Sequence, residues 1–229
     1  MAALLPFTLY LVARGGRRQL LGIASALLLI GGVFATGSRG GMVAAGAAIV
    51  GAGLVMPVFR LRVAAAVVVV AAFLALPLFA TQTADAGGRS VEGRMTENLV
   101  AVAMFSDYPI TGVGPGHFPE HYRDYTRFIG NDPRPVREAH SLPLEIAAEQ
   151  GLGGVIALLV VFLTVFRFAW ARGVWRLLVG RAVMLSIATY MTASLFLHGS
   201  EIRLLWVLLG MLLALSQIAQ REAPESGIA

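Results

Sequence analysis

The chain contains 229 residues, of which 57% are hydrophobic and 14% are charged, and its mean hydropathy is +0.76. A soluble domain carries about 25% charged residues and needs a polar coat, so this composition excludes an ordinary soluble protein and indicates an integral membrane protein. The net charge is +5, and all 18 basic residues are Arg. The absence of Cys excludes a disulfide framework, a thiolate nucleophile and a Cys metal site.

Seven apolar segments predict an all-α fold, a polytopic membrane protein with about seven transmembrane helices. An 18-residue helix is about 27 Å long at roughly 1.5 Å per residue, which is close to the thickness of the hydrocarbon core. The short first segment is interpreted as a span truncated at its N-terminus, because no basic residues precede it as they would in a signal peptide. The segments lie near residues 2–13, 19–36, 41–58, 63–80, 144–166, 182–197 and 202–219.

The distribution of Arg predicts the topology. Arg residues cluster in alternate connections, which are therefore expected to face the cytoplasm. That side holds ten Arg and two Glu, a net charge of +8, and the other side has a net charge of −3. The predicted parts are four N-terminal spans in 1–80, a periplasmic loop in 81–143, three C-terminal spans in 144–219 and a cytoplasmic tail in 220–229.

The long polar stretch 81–143 is predicted to be largely helical. Apolar residues recur at helical spacing over 90–105, which predicts an amphipathic helix near the membrane surface. A second helix is predicted at 117–129, ended by Pro133 and Pro135. The run between them is rich in Gly and Pro and has no preceding strand, so a structural turn is favoured over a dinucleotide site. The apolar positions of the first helix are Val91, Met95, Leu99, Val102 and Phe105.

Several Arg on the outer side are candidates for anion binding. The turn Thr36–Gly41 has two interpretations. It is either a helix end with Arg39 directed to lipid headgroups, or a turn whose glycines let a bulky anionic ligand come close to Arg39. Arg89 and Arg94 open the amphipathic helix, where they form either a solvated face or a phosphate site. A net acidic outer side that still contains such cations is better explained by a specific anionic ligand than by bulk charge.

The start of the fifth apolar segment supplies candidates for proton transfer. His140 is either an interfacial hydrogen-bonding group or a general base. Glu145 and Glu149 are four residues apart and share one helix face, and carboxylates this close to a membrane are functional candidates. His117 and His121 lack the full H-E-x-x-H pattern, so no metal site is expected.

These motifs, in this order, resemble the O-antigen ligase and O-antigen polymerase family. The resemblance rests on the Thr-x-Ser-Arg-Gly turn at Thr36, on Gly93-Arg94, on the Pro-x-x-Gly-x-Gly loop within 107–118, and on the His-x-x-x-Leu-x-x-x-x-Glu-x-Gly run within 139–154. The family commonly has Asn where this chain has Ser141, and Trp where it has Asn98. Family members usually have ten or more spans, so the chain is expected to be the C-terminal, catalytic part.

The resemblance implies an inverting, metal-independent glycosyltransferase without a cofactor, in the bacterial inner membrane with its active site facing the periplasm. Its donor would be an undecaprenyl-diphosphate-linked glycan, and its acceptor a hydroxyl of a glycan, a lipid or a protein. Arg94 and His140 would be catalytic, and Glu145 and Glu149 would support them. The diphosphate would be bound by Arg39, Arg89 and Arg137.

Two other interpretations stay open. A transporter of an anionic solute would have paired broken helices related by an internal repeat, and no repeat is evident. An inactive fragment of a larger ligase would also account for the short first segment and the two departures from the family pattern. The sequence does not separate a ligase from a polymerase or from a protein O-glycosylation enzyme.

Overall fold

A computed structural model describes residues 1–36, 38–56, 58, 88–129, 141–195 and 202–222. Every regular element in these ranges is helical. Two short 3-10 helices, Ala2–Leu4 and Val174–Arg176, accompany the α-helices. The α-helices are α1 (Leu5–Arg14), α2 (Arg17–Ala35), α3 (Arg39–Val55), α4 (Gly88–Asp107), α5 (Phe118–Ile129), α6 (Leu142–Ala171), α7 (Leu178–Ser194) and α8 (Ile202–Glu222).

The described residues form two compact units, and the first begins with a helical hairpin. The first unit comprises the described residues up to 58 together with 163–193 and 202–222. Gly15 and Gly16 both have positive φ and reverse the chain between α1 and α2. A Cβ at Gly22 would lie 2.7 Å from the Thr8 carbonyl oxygen, so α2 can approach α1 this closely only with glycine there.

Small side chains also allow close packing of α3. Ala44, Ala48 and Ala52 recur every fourth residue and are fully buried, a spacing that lets helices of membrane proteins approach closely. On the same helix, a Cβ at Gly51 would overlap the side chain of Leu185 in α7. The helix begins at a polar cap, since the Ser38 hydroxyl accepts a hydrogen bond of 3.1 Å from the Gly41 N–H.

The second unit comprises residues 88–129, 141–162, 194 and 195. Its core lies where α4, α5 and the start of α6 meet. The buried side of α4 contributes Val100, Ala101 and Met104, whereas Met95, Leu99 and Val102 on the predicted apolar stripe are exposed. The remaining core side chains are Phe118, Tyr122 and Ala148, with Val113, Tyr125 and Leu144 packed against them.

Helix α6 contains a sharp kink near its start. Gly151 has φ 61° and ψ −159°, which lies outside the helical region and which a residue with a side chain rarely adopts. The helix continues as a long apolar segment to Ala171. The kink therefore separates a first part, which carries Glu145 and Glu149, from the hydrophobic part.

Six of the seven predicted spans coincide with apolar helices of the described part of the chain. Three of these helices are long and apolar enough to cross a membrane: Arg17–Ala35, Leu142–Ala171 and Arg203–Gln220. The apolar helices Ala2–Arg14, Gly40–Val55 and Leu178–Ser194 are shorter. The predicted span at 63–80 lies outside the described residues, so the count of seven stays a prediction.

The two predicted helices of the polar stretch are confirmed. The helix predicted over 90–105 is α4, and the one predicted at 117–129 is α5. The assignment of this stretch to the periplasm is not tested by the structure and stays a prediction.

Candidate functional site

The loop between α4 and α5 has the turn-rich structure that its glycines predict. Gly112, Gly114 and Gly116 all have positive φ, at 66°, 108° and 77°. The Gly112 N–H donates to the Tyr108 carbonyl at 2.9 Å and closes the first turn. The structural interpretation of these glycines is confirmed, because the fold of the loop depends on their conformation.

This loop binds to the backbone of α6 at the kink. At Gly151 the helical hydrogen-bond pattern is interrupted, so two carbonyls before the kink and two N–H groups after it lack their usual partners within the helix. Backbone groups of this kind need other partners. The loop provides one hydrogen-bond partner for each of the four groups. Ala148 and Glu149 carbonyls accept from Val113 and Gly114 N–H groups at 2.9 Å. The Leu152 and Gly153 N–H groups donate to the Pro109 and Ile110 carbonyls, at 2.8 and 3.3 Å.

Two glycines make this close approach possible. A Cβ at Gly112 would overlap the backbone of Glu149. A Cβ at Gly151 would lie 2.5 Å from the Ile110 carbonyl oxygen and 2.8 Å from the Gly112 nitrogen. The Pro-x-x-Gly-x-Gly motif and the Glu-x-Gly motif therefore bind each other through their backbones. We call this set of contacts, between residues 109–114 and 148–153, the backbone lock.

The Glu149 side chain completes the lock. Its Oε2 accepts a hydrogen bond of 2.9 Å from the Gly116 N–H, and its Oε1 accepts one of 3.2 Å from the Phe118 N–H. The side chain is buried, and Phe118 is the first residue of α5. A carboxylate at this position satisfies N–H groups that a helix start leaves unpaired and interacts favourably with the helix dipole.

A second side-chain contact connects α4 to α5. The Tyr125 hydroxyl donates a hydrogen bond of 2.7 Å to Asp107 Oδ2. Burial, followed by the hydrogen bond and the negative charge of Asp107, raises the pKa of Tyr125 from 10.0 to about 12. All three effects disfavour the phenolate, so the neutral hydroxyl is the form that joins the helices.

The side chain of His117, just before α5, has local partners. The Nδ1 of His117 lies 3.0 Å from the Pro115 carbonyl oxygen, and its Nε2 lies 3.9 Å from the Glu120 carboxylate. The part of the chain that the structure describes contains no group of three His, Cys, Asp or Glu that could hold a metal ion.

The predicted site residues differ in how far the structure describes them. Arg39 is the first residue of α3, and Arg89 and Arg94 lie in the first turns of α4, each described by its backbone. Arg137 and His140 lie outside the described residues. Grouping these five around one ligand stays a prediction.

The two carboxylates of α6 are described in full. Glu145 lies in the first turn of the helix, where its N–H donates to the Ser141 carbonyl at 2.9 Å. Glu149 contacts the 112–118 loop, and its supporting role in catalysis stays a prediction.

Sequence reasoning missed a buried carboxylate on α4. Glu97 is only 2% exposed, although a carboxylate is almost never buried without compensating interactions. It lies one helical turn after Arg94 in the sequence. The sequence signal that could have indicated Glu97 is its spacing from Arg94, because residues three apart on a helix are neighbours.

A family model described as O-Antigen ligase matches residues 24–159, which is more than half of the chain. The chain belongs to the O-antigen ligase family. No curated protein and no solved structure matches it. The matched range of this O-antigen ligase family member contains the Ser38 cap, the loop and the kinked start of α6. Family membership and the apolar helices identify a glycosyl-transferring enzyme of a membrane.

Proposed function

We propose that this protein transfers a glycan from an undecaprenyl-diphosphate-linked donor to an acceptor hydroxyl, as a ligase or polymerase in the assembly of cell-surface polysaccharide. The enzyme would lie in the bacterial inner membrane with its site facing the periplasm. The observation that carries the proposal is the family match over 24–159, which includes the loop and the α6 kink.

The proposed reaction is a single displacement at the anomeric carbon. The acceptor oxygen forms a bond to this carbon from the face opposite the lipid diphosphate, and the bond to the diphosphate oxygen breaks. The leaving group keeps the bonding electron pair, so the anomeric configuration inverts. Negative charge develops on the diphosphate as the bond breaks, and an enzyme accelerates the step by stabilising that charge.

Arg is the side chain suited to this leaving group. Its guanidinium stays charged, and its fork of donors matches phosphate oxygens. We assign this role to Arg94, with Arg39, Arg89 and Arg137 binding the diphosphate. His140 would take the proton from the acceptor hydroxyl as the new bond forms, because an imidazole titrates near neutral pH.

The backbone lock offers a structural reason for the spacing of the motifs. Arg94 lies on α4, which leads directly into the loop, and His140 lies just before α6, which receives the loop. A rigid connection between α4 and the start of α6 would keep two such groups at a fixed separation. Fixed positioning of reacting groups contributes strongly to catalysis.

The test is transfer of glycan from a purified lipid-linked oligosaccharide by the purified protein. We expect Arg94→Ala to lower the rate by about a hundredfold or more, as for loss of a donor to a developing oxyanion. We expect His140→Ala to lower it by about a hundredfold or more, as for loss of a general base. Gel analysis of the donor lipid and the glycosylated acceptor measures the rate.

Two residues of α5, the exposed Arg123 and the partly exposed His121, provide matched controls. Arg123→Ala removes the same charge as Arg94→Ala, and His121→Ala removes the same ring as His140→Ala, so both should keep nearly full activity. Undiminished transfer by the Arg94 and His140 variants would contradict the site assignment. Uptake of an anion into liposomes without any glycan transfer would favour a transporter instead.

A further inference from the structure

The turn between α6 and α7 concentrates positive charge without any carboxylate. It contains Arg172 and Arg176 and is flanked by Arg167 of α6 and Arg181 of α7. The sequence has no Asp or Glu between Glu149 and Glu201. Within the described residues, none of these four Arg forms an ion pair. The proposed glycan transfer does not use this turn.

The turn is compact and fixed by its own backbone. Helix α6 ends where the Gly173 N–H donates to the Trp170 carbonyl at 3.0 Å, with Gly173 in the left-handed region. A Cβ at Gly180 would overlap the Val174 carbonyl, so α7 starts directly against the 3-10 helix. Helix α8 also packs against that 3-10 helix.

One of the four Arg, Arg181, stabilises the turn through hydrogen bonds to the backbone. The Arg181 Nε donates to the Trp175 carbonyl at 2.8 Å, and its Nη1 donates to the Val55 carbonyl at 2.9 Å. Arg181 therefore joins the turn to the end of α3. Two of its donors are used by the protein, so Arg181 has a structural role in this turn.

Arg172 and Arg176 are held by aromatic rings. The guanidinium carbon of Arg172 lies 3.6 Å from the centre of the Phe168 ring, and that of Arg176 lies 5.2 Å from the Trp175 ring. Trp170 and Trp175 stack with their centres 5.4 Å apart, and Trp170 is 65% exposed. Ring contacts orient a guanidinium without neutralising its charge.

Arg172 also has unused hydrogen-bonding capacity. Its Nη1 is shielded from solvent and has no hydrogen-bond partner within the described residues. A shielded, charged donor of this kind is costly, and a nearby anion would offset the cost.

We propose that Arg172, Arg176, Trp170 and Trp175 form a binding site for the phosphate of an acidic phospholipid headgroup. The occupant follows from the position of the turn and from its charge. The turn ends α6, a helix long and apolar enough to span a membrane, so it lies at the depth of the headgroups. Trp and Arg are the residues that anchor membrane helices there, and the guanidinium fork matches a phosphate diester.

The experiment measures lipid retention by the purified protein in detergent, using native mass spectrometry. Dioleoylphosphatidylglycerol is the acidic probe, and dioleoylphosphatidylcholine is the zwitterionic one. The double variant Arg172→Gln/Arg176→Gln should bind the acidic lipid at least about tenfold more weakly, because two charged hydrogen-bond donors to phosphate are lost. The zwitterionic lipid should bind weakly to both proteins.

The control is Arg17→Gln/Arg18→Gln, which removes the same charge from two exposed Arg of the same unit. In detergent no membrane surface potential acts, so this control should change retention by less than about threefold. The variant Arg172→Lys/Arg176→Lys keeps the charge and should recover only part of the binding, since an ammonium lacks the planar fork. Circular dichroism verifies that each variant is folded.

Three results would overturn the proposal. They are equal retention of both lipids by the wild-type protein, an equal loss of acidic lipid in the control variant, and displacement of the lipid by millimolar inorganic phosphate. The last result would identify a site for a free phosphate.

Discussion

At the scale of single residues, the structure gives Glu149 a structural role that its sequence position alone does not indicate. A carboxylate at the start of a membrane helix is by sequence a candidate for catalysis or for ligand binding. In the structure both of its oxygens are engaged by the backbone N–H groups of Gly116 and Phe118. We therefore expect Glu149 to affect activity through the position of the loop.

We expect Glu149→Ala and Glu149→Gln both to lower stability. The Ala variant leaves two N–H groups without their charged acceptor, at a cost on the order of 2–3 kcal/mol. The Gln variant replaces one acceptor oxygen by a donor, so it also leaves one N–H unsatisfied. The measurement is the apparent Tm in detergent, followed by tryptophan fluorescence, together with the glycan transfer rate.

The matched control is Glu120→Ala, which removes a carboxylate that is 71% exposed near the same helix start. It should leave the apparent Tm almost unchanged. A Glu149→Gln variant with wild-type stability and no transfer would show that Glu149 acts chemically, contrary to this interpretation.

Two glycines of the same loop test the backbone lock. Gly112→Ala places a methyl group against the backbone of Glu149 and also strains a residue with positive φ, so we expect a loss of at least about 3 kcal/mol. Gly116→Ala has a similar positive φ and nothing within 4 Å of the added carbon, so the loss should be about 1–2 kcal/mol. Equal losses in chemical denaturation would argue against the close approach.

At the scale of elements, α4 and α5 are held together by a buried apolar core and by the hydrogen bond from Tyr125 to Asp107. The core explains why the polar stretch is helical at all. Helix α5 has only 12 residues, a length at which isolated helices are marginal in water. Burial of Phe118 and Tyr122 against α4 supplies the stabilisation that the short helix lacks.

The raised pKa of Tyr125 predicts a loss of stability at alkaline pH. The folded state holds the hydroxyl neutral up to about 12, whereas the unfolded chain releases the proton near 10.0. The stabilisation is therefore complete below pH 10 and is lost as the pH rises toward 12. The apparent Tm of the wild-type protein should fall more steeply across this window than that of Tyr125→Phe.

The control for this titration is Tyr10→Phe, which removes the hydroxyl of a tyrosine in α1 that is not among the causes of the raised pKa of Tyr125. Its Tm should follow the wild-type pH profile. Identical profiles for wild type and Tyr125→Phe would show that this hydroxyl does not limit stability at high pH.

At the scale of the whole molecule, the Arg distribution predicts the orientation in the membrane. Ten of the 18 Arg lie in connections assigned to the cytoplasm, and the other connections together are acidic. Arg in short loops retards translocation, which is the physical origin of this bias. The two faces of the protein should therefore react differently with a reagent that does not cross membranes.

Because the chain has no Cys, single Cys variants report orientation directly. We expect Glu120→Cys to react with a membrane-impermeant maleimide in cells whose inner membrane is intact. We expect Arg167→Cys to react only after that membrane is permeabilised. Both positions are exposed in the structure, so a failure to react reports orientation and not burial. The reverse pattern would contradict the predicted topology.

The sequence by itself determined the helical class, the apolar segments and the family, because each depends on local information. Hydrophobic blocks of membrane length, the 3.6-residue period of α4 and the spacing of the loop glycines can all be read along the chain. The residue types that suit a diphosphate and a proton transfer are equally visible, which is why Arg94 and His140 remain the leading candidates for chemistry.

Only the tertiary structure decided how distant motifs combine. Nothing local indicates that Gly112 packs against residues 37 positions further on, or that Glu149 accepts from the start of α5. The hydrogen bond that joins Arg181 to Val55, 126 residues apart, is also absent from any local pattern. Such contacts depend on where helices end and cross, and packing sets those positions over the whole fold.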